Sequence, residues 1–253
     1  MKLSIIVISI LLFVSCVSTP VAVTEVIPEI NTPASKVEYT HTHTYNIIAF
    51  TGDTSSFQYP IEIVNFFIEE FKSNYNVSGV TFLKGSDVTF NNVKMAIEPY
   101  KNVDNIVNII IYSGHGDSRF LNAYENIVQK DFAQYLDTII TPTIVLINSC
   151  YSGNIGGFLK PNSNITLITG SAPNASTSSG GNNGIHLNML ASIIYAIRLG
   201  IALDTDKDGD ISILELVSEA LEITKENIEK HGKGWANFGV FLWGKNDRVV
   251  ATY

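Results

Sequence analysis

Three runs in this chain are predominantly apolar and end at turn residues: Asn105 to Tyr112 (NIVNIIIY), Thr143 to Ile147 (TIVLI) and Ile165 to Thr169 (ITLIT). Aliphatic and β-branched residues at consecutive positions leave no polar face for solvent, so each run predicts a strand buried on both faces. Such strands require a mostly parallel sheet with helices over each face. The intervening segments supply them. Ile61, Val64, Phe67, Ile68 and Phe71 recur at helical spacing, and helices are expected over Val88 to Tyr100, Ile127 to Leu136, Leu187 to Leu199 and Ile213 to Lys230. Shorter strands are expected at Asn46 to Phe50, Val80 to Leu83 and Phe238 to Trp243. Apolar residues make up 45% of the chain and charged residues 16%, enough for one large core over residues 45–253. There is no internal repeat, and the fold class is α/β.

The start of the chain has a different character. Residues 1–15 (MKLSIIVISILLFVS) open with Lys2 and continue with an apolar stretch too short to span a bilayer, the pattern of a signal peptide. Phe13-Val14-Ser15-Cys16 resembles a lipobox, which implies lipidation at Cys16 and a protein of the bacterial cell envelope anchored to a membrane through that lipid. A plain signal peptide cut nearby is the alternative, and export holds under both. Residues 16–44 carry three prolines, many Thr and Ser and no helical period, so they read as the lipidated N-terminus and a tether.

The net charge of −8 comes from 24 acidic and 16 scattered basic residues, a balance that repels a phosphate backbone and excludes nucleic acid as a partner. The two cysteines are Cys16 and Cys150, so once the leader is set aside one thiol remains and no intrachain disulfide is expected. Nothing in the sequence sets the oligomeric state.

Loops beyond the carboxyl ends of parallel strands are where reactive groups collect. The third strand stops at Gly114-His115-Gly116, and the fourth at Ser149-Cys150-Tyr151-Ser152-Gly153. A thiol at a strand end entering a helix N-terminus is biased toward the nucleophilic thiolate. A histidine on the neighbouring strand end would pair with it and protonate a leaving amine. The N–H groups of Gly116 and Cys150 would face a developing oxyanion. Singly, Cys150 reads as a small core residue and His115 as a loop residue. Together, at matching ends of successive strands, they read as a catalytic pair.

The blocks NIVNIIIYSGHG, TIVLINSCYSG and ITLITGSAPNASTSSGG resemble the caspase–legumain–clostripain clan of cysteine peptidases, and within it the legumain (asparaginyl endopeptidase) branch. The resemblance implies a caspase-like three-layer sandwich over residues 45–253 and an endopeptidase acting on protein or peptide substrates. His115 then matches the clan histidine, Cys150 the nucleophile that forms a thioester acyl-enzyme, and Gly116 the oxyanion donor. It also implies that Ser178 and Ser179 line the pocket for the residue preceding the scissile bond; a flexible Gly/Ser loop is the alternative for this stretch. The loop after the first strand, FTGDTSSFQYP, lacks the arginine that caspases and legumains often place there. Asp53 is its one charge, which implies a preference for Asn or a basic side chain. A legumain-type transamidase or ligase and a catalytically silent scaffold that binds a partner are the alternatives.

Residues 204–215 (DTDKDGDISILE) fit an EF-hand loop at every ligand position. Asp204, Asp206 and Asp208 supply carboxylates, Asp210 its backbone carbonyl, Ser212 a hydroxyl, and Glu215 both carboxylate oxygens. Gly209 permits the sharp turn. The expected cofactor is Ca2+, structural or activating, with no organic cofactor. An acidic surface turn ahead of the next helix is the alternative.

Overall fold

The computed structural model of the protein describes residues 43–52, 59–161, 163–176, 189–199, 215–220, 222 and 241–243. The leader, the tether up to residue 42, Asp53, Ser178, Ser179 and residues 204–214 of the acidic loop lie outside them.

In chain order the strands are β1 (Thr44–Thr51), β2 (Asn76–Leu83), β3 (Ile106–Ser113), β4 (Phe120–Leu121), β5 (Ile127–Val128), β6 (Thr143–Asn148), β7 (Ile165–Thr169) and β8 (Phe241–Trp243). The helices are α1 (Tyr59–Asn74), α2 (Phe90–Ile97), α3 (Gln129–Leu136) and α4 (Met189–Leu199). The main sheet has the order β2-β1-β3-β6-β7-β8; its first five strands are parallel and β8 runs antiparallel to β7. β4 and β5 form a separate antiparallel pair.

Successive side chains of a strand point to opposite faces, and the two faces here feed two cores. Ile47, Ala49, Ile109, Ile111, Leu146 and Ile168 pack with α1, α4 and Leu216, Val217 and Ala220 of the helical residues 215–220. Ile48, Phe50, Ile110, Tyr112, Val145 and Ile147 pack with α2 and α3. Each of the larger aliphatic and aromatic side chains, taken fully out of water, contributes about 1.5–3 kcal/mol. A one-residue slip would exchange the two sets, so the cores hold the register. The buried pair Asn46–Asn108 holds it too: the two residues are opposite each other, and Asn46 Nδ2 donates to Asn108 Oδ1 at 3.3 Å. The result is the three-layer α/β sandwich expected from the sequence.

Local boundaries differ from expectation for identifiable reasons. The expected helix from Val88 is shorter: Thr89 accepts from the Asn92 N–H to cap α2, and Pro99 lies in a 3-10 turn, Glu98–Tyr100, that follows it. The expected helix from Ile127 starts two residues later, because Ile127–Val128 pairs with Phe120–Leu121 instead. β2 is twice the expected length, an edge strand whose exposure alternates along Asn76–Leu83. Among the described residues no helix is long and apolar enough to cross a membrane.

Candidate active site

The register of the sheet builds this site. β1, β3 and β6 end level with one another, Thr51 opposite Ser113 and Ser113 opposite Asn148. One more rung follows, in which the Gly114 N–H donates to the Asn148 carbonyl at 3.2 Å. His115 and Cys150 each lie two residues beyond the last pair (113 to 115, 148 to 150), so equal lengths of chain carry both to one edge of the sheet. Adjacent strands are about 4.8 Å apart, which sets the scale of their separation. His115 is exposed and Cys150 half-buried.

The two loops meet at Gly116. A Cβ there would stand 2.6 Å from the Cys150 carbonyl oxygen and 2.9 Å from Ser149 Oγ, closer than side chains approach. Glycine is therefore what allows the histidine loop to lie against the cysteine loop.

Each loop is tied from below. The His115 carbonyl accepts from the Asn122 N–H at 3.0 Å and from the Tyr112 hydroxyl at 2.6 Å. Tyr112 is fully buried, and burial pushes its phenol far above the ordinary tyrosine range, so the hydroxyl keeps its proton. The Asp117 carboxylate accepts from the Arg119 and Phe120 N–H groups at 2.8 and 2.9 Å, and Gln129 Nε2 donates to the Asp117 carbonyl at 2.8 Å.

The cysteine loop differs from the helix entrance expected. Tyr151 is left-handed, with φ 56°, and the following residues form a 3-10 helix, Ser152–Phe158. The Tyr151 N–H donates to the Ala175 carbonyl at 2.7 Å, which draws the loop after β7 onto the cysteine loop. Beneath it lies a buried hydroxyl clasp. Ser171 Oγ accepts from the Ser152 N–H at 2.9 Å and donates to the Ser149 carbonyl at 3.1 Å, and Ser152 Oγ accepts from the Ser171 N–H at 3.2 Å. Asn154 links all three loops: its Nδ2 donates to the Ser118 carbonyl at 3.1 Å and its Oδ1 accepts from the Asn174 N–H at 2.9 Å. Ser171→Ala strands the buried Ser152 N–H and Ser149 carbonyl. It is expected to lower stability by about 1–3 kcal/mol, read as a lower denaturant midpoint at unchanged m-value.

Thus the structure brings His115, Gly116 and Cys150 together. Of the expected calcium ligands it describes Glu215 alone, which is buried at the start of the helical residues 215–220. Among the described residues no cluster of His, Cys, Asp and Glu is arranged to hold a metal. Sequence reasoning missed Tyr112, Ser152 and Ser171. It also missed the polar row Thr51, Ser113 and Asn148 under the two loops, in which Asn148 Nδ2 donates to Ser113 Oγ at 3.1 Å and the buried Thr51 Oγ1 has no hydrogen-bond partner among the described residues. A tyrosine following three isoleucines, two residues before a Gly-His-Gly turn, was the available signal for the first.

No protein-family model matches the sequence, and no curated protein is significantly similar to it. Among solved structures the chain is similar to caspase-1 from Spodoptera frugiperda, with a TM-score of 0.54 and 13% identity over 85% of this chain and 92% of that one. At that identity the likeness concerns the fold alone. The protein has a caspase-like α/β fold.

Proposed function

We propose that the protein is a cysteine endopeptidase in which Cys150 and His115 form the catalytic dyad. The observation that carries this reading is the equal exit of β3 and β6, which sets an exposed histidine and a half-buried cysteine on one sheet edge, with Gly116 packed against the cysteine loop. His115 takes the Cys150 proton, and the thiolate sulfur attacks the scissile carbonyl carbon. The N–H groups of Gly116 and Cys150 hold the oxyanion. As the tetrahedral intermediate collapses, the C–N bond breaks and His115 gives its proton to the departing amine. Water then adds to the thioester with His115 as base, which releases the acid and restores the thiol.

The pocket is proposed to include Asp53, Ser178 and Ser179 and to take Asn or a basic side chain. Asp53, the one charge in the loop FTGDTSSFQYP, supports this. We further propose that residues 204–215 bind calcium, supported by the ligand pattern and by the burial of Glu215. The leader sequence supports export and a lipid anchor at Cys16 in a bacterial envelope.

The test is digestion of a mixed peptide library by the purified chain and by Cys150→Ala, with products identified by mass. Cleavage by the wild type that falls at least ~10⁴-fold in Cys150→Ala is expected. Joined rather than hydrolysed products in the presence of added amine would favour the transamidase. Absence of any cleavage, with and without calcium, would favour the scaffold.

A further inference from the structure

We propose that Tyr112 is a positioning residue that aims the oxyanion donor, an inference that rests on the peptidase reading above. The peptide unit is planar, and that planarity couples its two polar groups. The His115 carbonyl and the Gly116 N–H belong to one peptide, and no cis peptide occurs among the described residues. In a planar trans unit the C=O and N–H point in opposite directions. Whatever fixes the carbonyl therefore fixes the N–H. The Tyr112 hydroxyl donates to that carbonyl from inside the protein at 2.6 Å, so the Gly116 N–H is directed away from the core.

The surroundings are shaped for this hydroxyl. Its oxygen sits in a notch between two glycines, where a Cβ on either Gly52 or Gly114 would come within 2.8 Å of it. The ring packs against Phe50, with centroids 5.2 Å apart, and a phenylalanine would fill that space equally well. The hydroxyl thus adds nothing to the packing of the ring, and burying it carries a desolvation cost that only its hydrogen bonds offset. Its second acceptor, the Asn122 carbonyl at 3.2 Å, belongs to the residue whose N–H also holds His115. Hydroxyl and hairpin together clamp a single peptide, the one that carries the proposed oxyanion donor.

The test compares Tyr112→Phe with Phe50→Leu in the full chain. In Tyr112→Phe the Asn122 N–H still holds the carbonyl, so kcat is expected to fall about tenfold, short of the ~10²–10³ lost when a donor is removed outright. KM stays within twofold, and the midpoints of the pH–rate profile do not move, because Tyr112 acts on the peptide and not on the imidazole. A peptide aldehyde, whose adduct with the thiol carries the oxyanion, weakens by a similar factor. Phe50→Leu keeps the hydroxyl and loses ring packing, so its melting temperature falls while kcat is retained well below that temperature. Wild-type kcat and aldehyde affinity in Tyr112→Phe would overturn the proposal while leaving the peptidase intact. Equal kcat losses in the two variants would reduce Tyr112 to a packing residue. A wild-type chain that shows no Cys150-dependent cleavage would overturn the peptidase reading and this proposal with it.

Discussion

Gly116→Ala is expected to lower kcat/KM by at least ~10²–10³ while the chain remains folded. The added Cβ would meet the Cys150 carbonyl at 2.6 Å and Ser149 Oγ at 2.9 Å. The nearer atom is backbone, so it cannot swing aside as the end of a side chain would. The two loops must separate instead, by several tenths of an ångström. That displacement moves the Gly116 N–H away from the developing oxyanion and His115 away from the thiol, and both depend on sub-ångström placement. Overpacking also costs about 1–3 kcal/mol of stability, so activity is read well below the melting temperature. Steady-state kinetics on a peptide selected from the library decides the matter. A Gly116→Ala enzyme with wild-type kcat/KM would mean that the contact between the loops does not organise the chemistry.

The second large effect is thermal. Calcium at 10 mM is expected to raise the melting temperature by roughly 5–10 °C over the chelated protein. Exported calcium modules have Kd near 10⁻⁴–10⁻³ M, and at the tight end of that range 10 mM is an excess of about a hundredfold, which stabilises by about 2.7 kcal/mol. Each kcal/mol is worth about 2–4 °C in a domain of this size. The proposed site would transmit that energy through Glu215. This side chain is buried at the start of the helical residues 215–220, and Leu216, Val217 and Ala220 of those residues lie in the core shared with α1 and α4. Glu215→Gln is therefore expected to lose most of the shift while melting near the chelated wild type. Differential scanning calorimetry with calcium or chelator measures both. No shift in the wild type, or an equal shift in Glu215→Gln, would remove calcium from the account.

What the sequence made legible follows from the reach of the physical signal. β3, β6 and β7 were clear because burial on both faces leaves a continuous apolar run, and α1 because Val64, Phe67, Ile68 and Phe71 lie on one buried stripe, in which Ile63 is buried and the expected Ile61 only half-buried. The first half of β2 was hidden because it lies on an edge, where exposure alternates, and because Gly79 interrupts the run. β4 and β5 have two residues each, too few for any period, so Ile127 and Val128 read as the start of α3. The proposed dyad was legible because strand ends and glycines are local features. Tyr112, Ser152 and Ser171 could not, since their roles depend on partners brought close only by the sheet register and the loop after β7. The helix expected after Cys150 became a left-handed residue and a 3-10 helix because the Tyr151 N–H is drawn to Ala175, a contact invisible in the local sequence.

The measurement that bears most directly on the central claim is acid quenching of the purified chain during turnover of an activated peptide ester, followed by intact mass and peptide mapping. A transient mass increase equal to the acyl group is expected, mapped to Cys150, absent in Cys150→Ala, and accumulating more slowly in His115→Ala. An acyl group on another residue, or turnover that persists in Cys150→Ala, would contradict it.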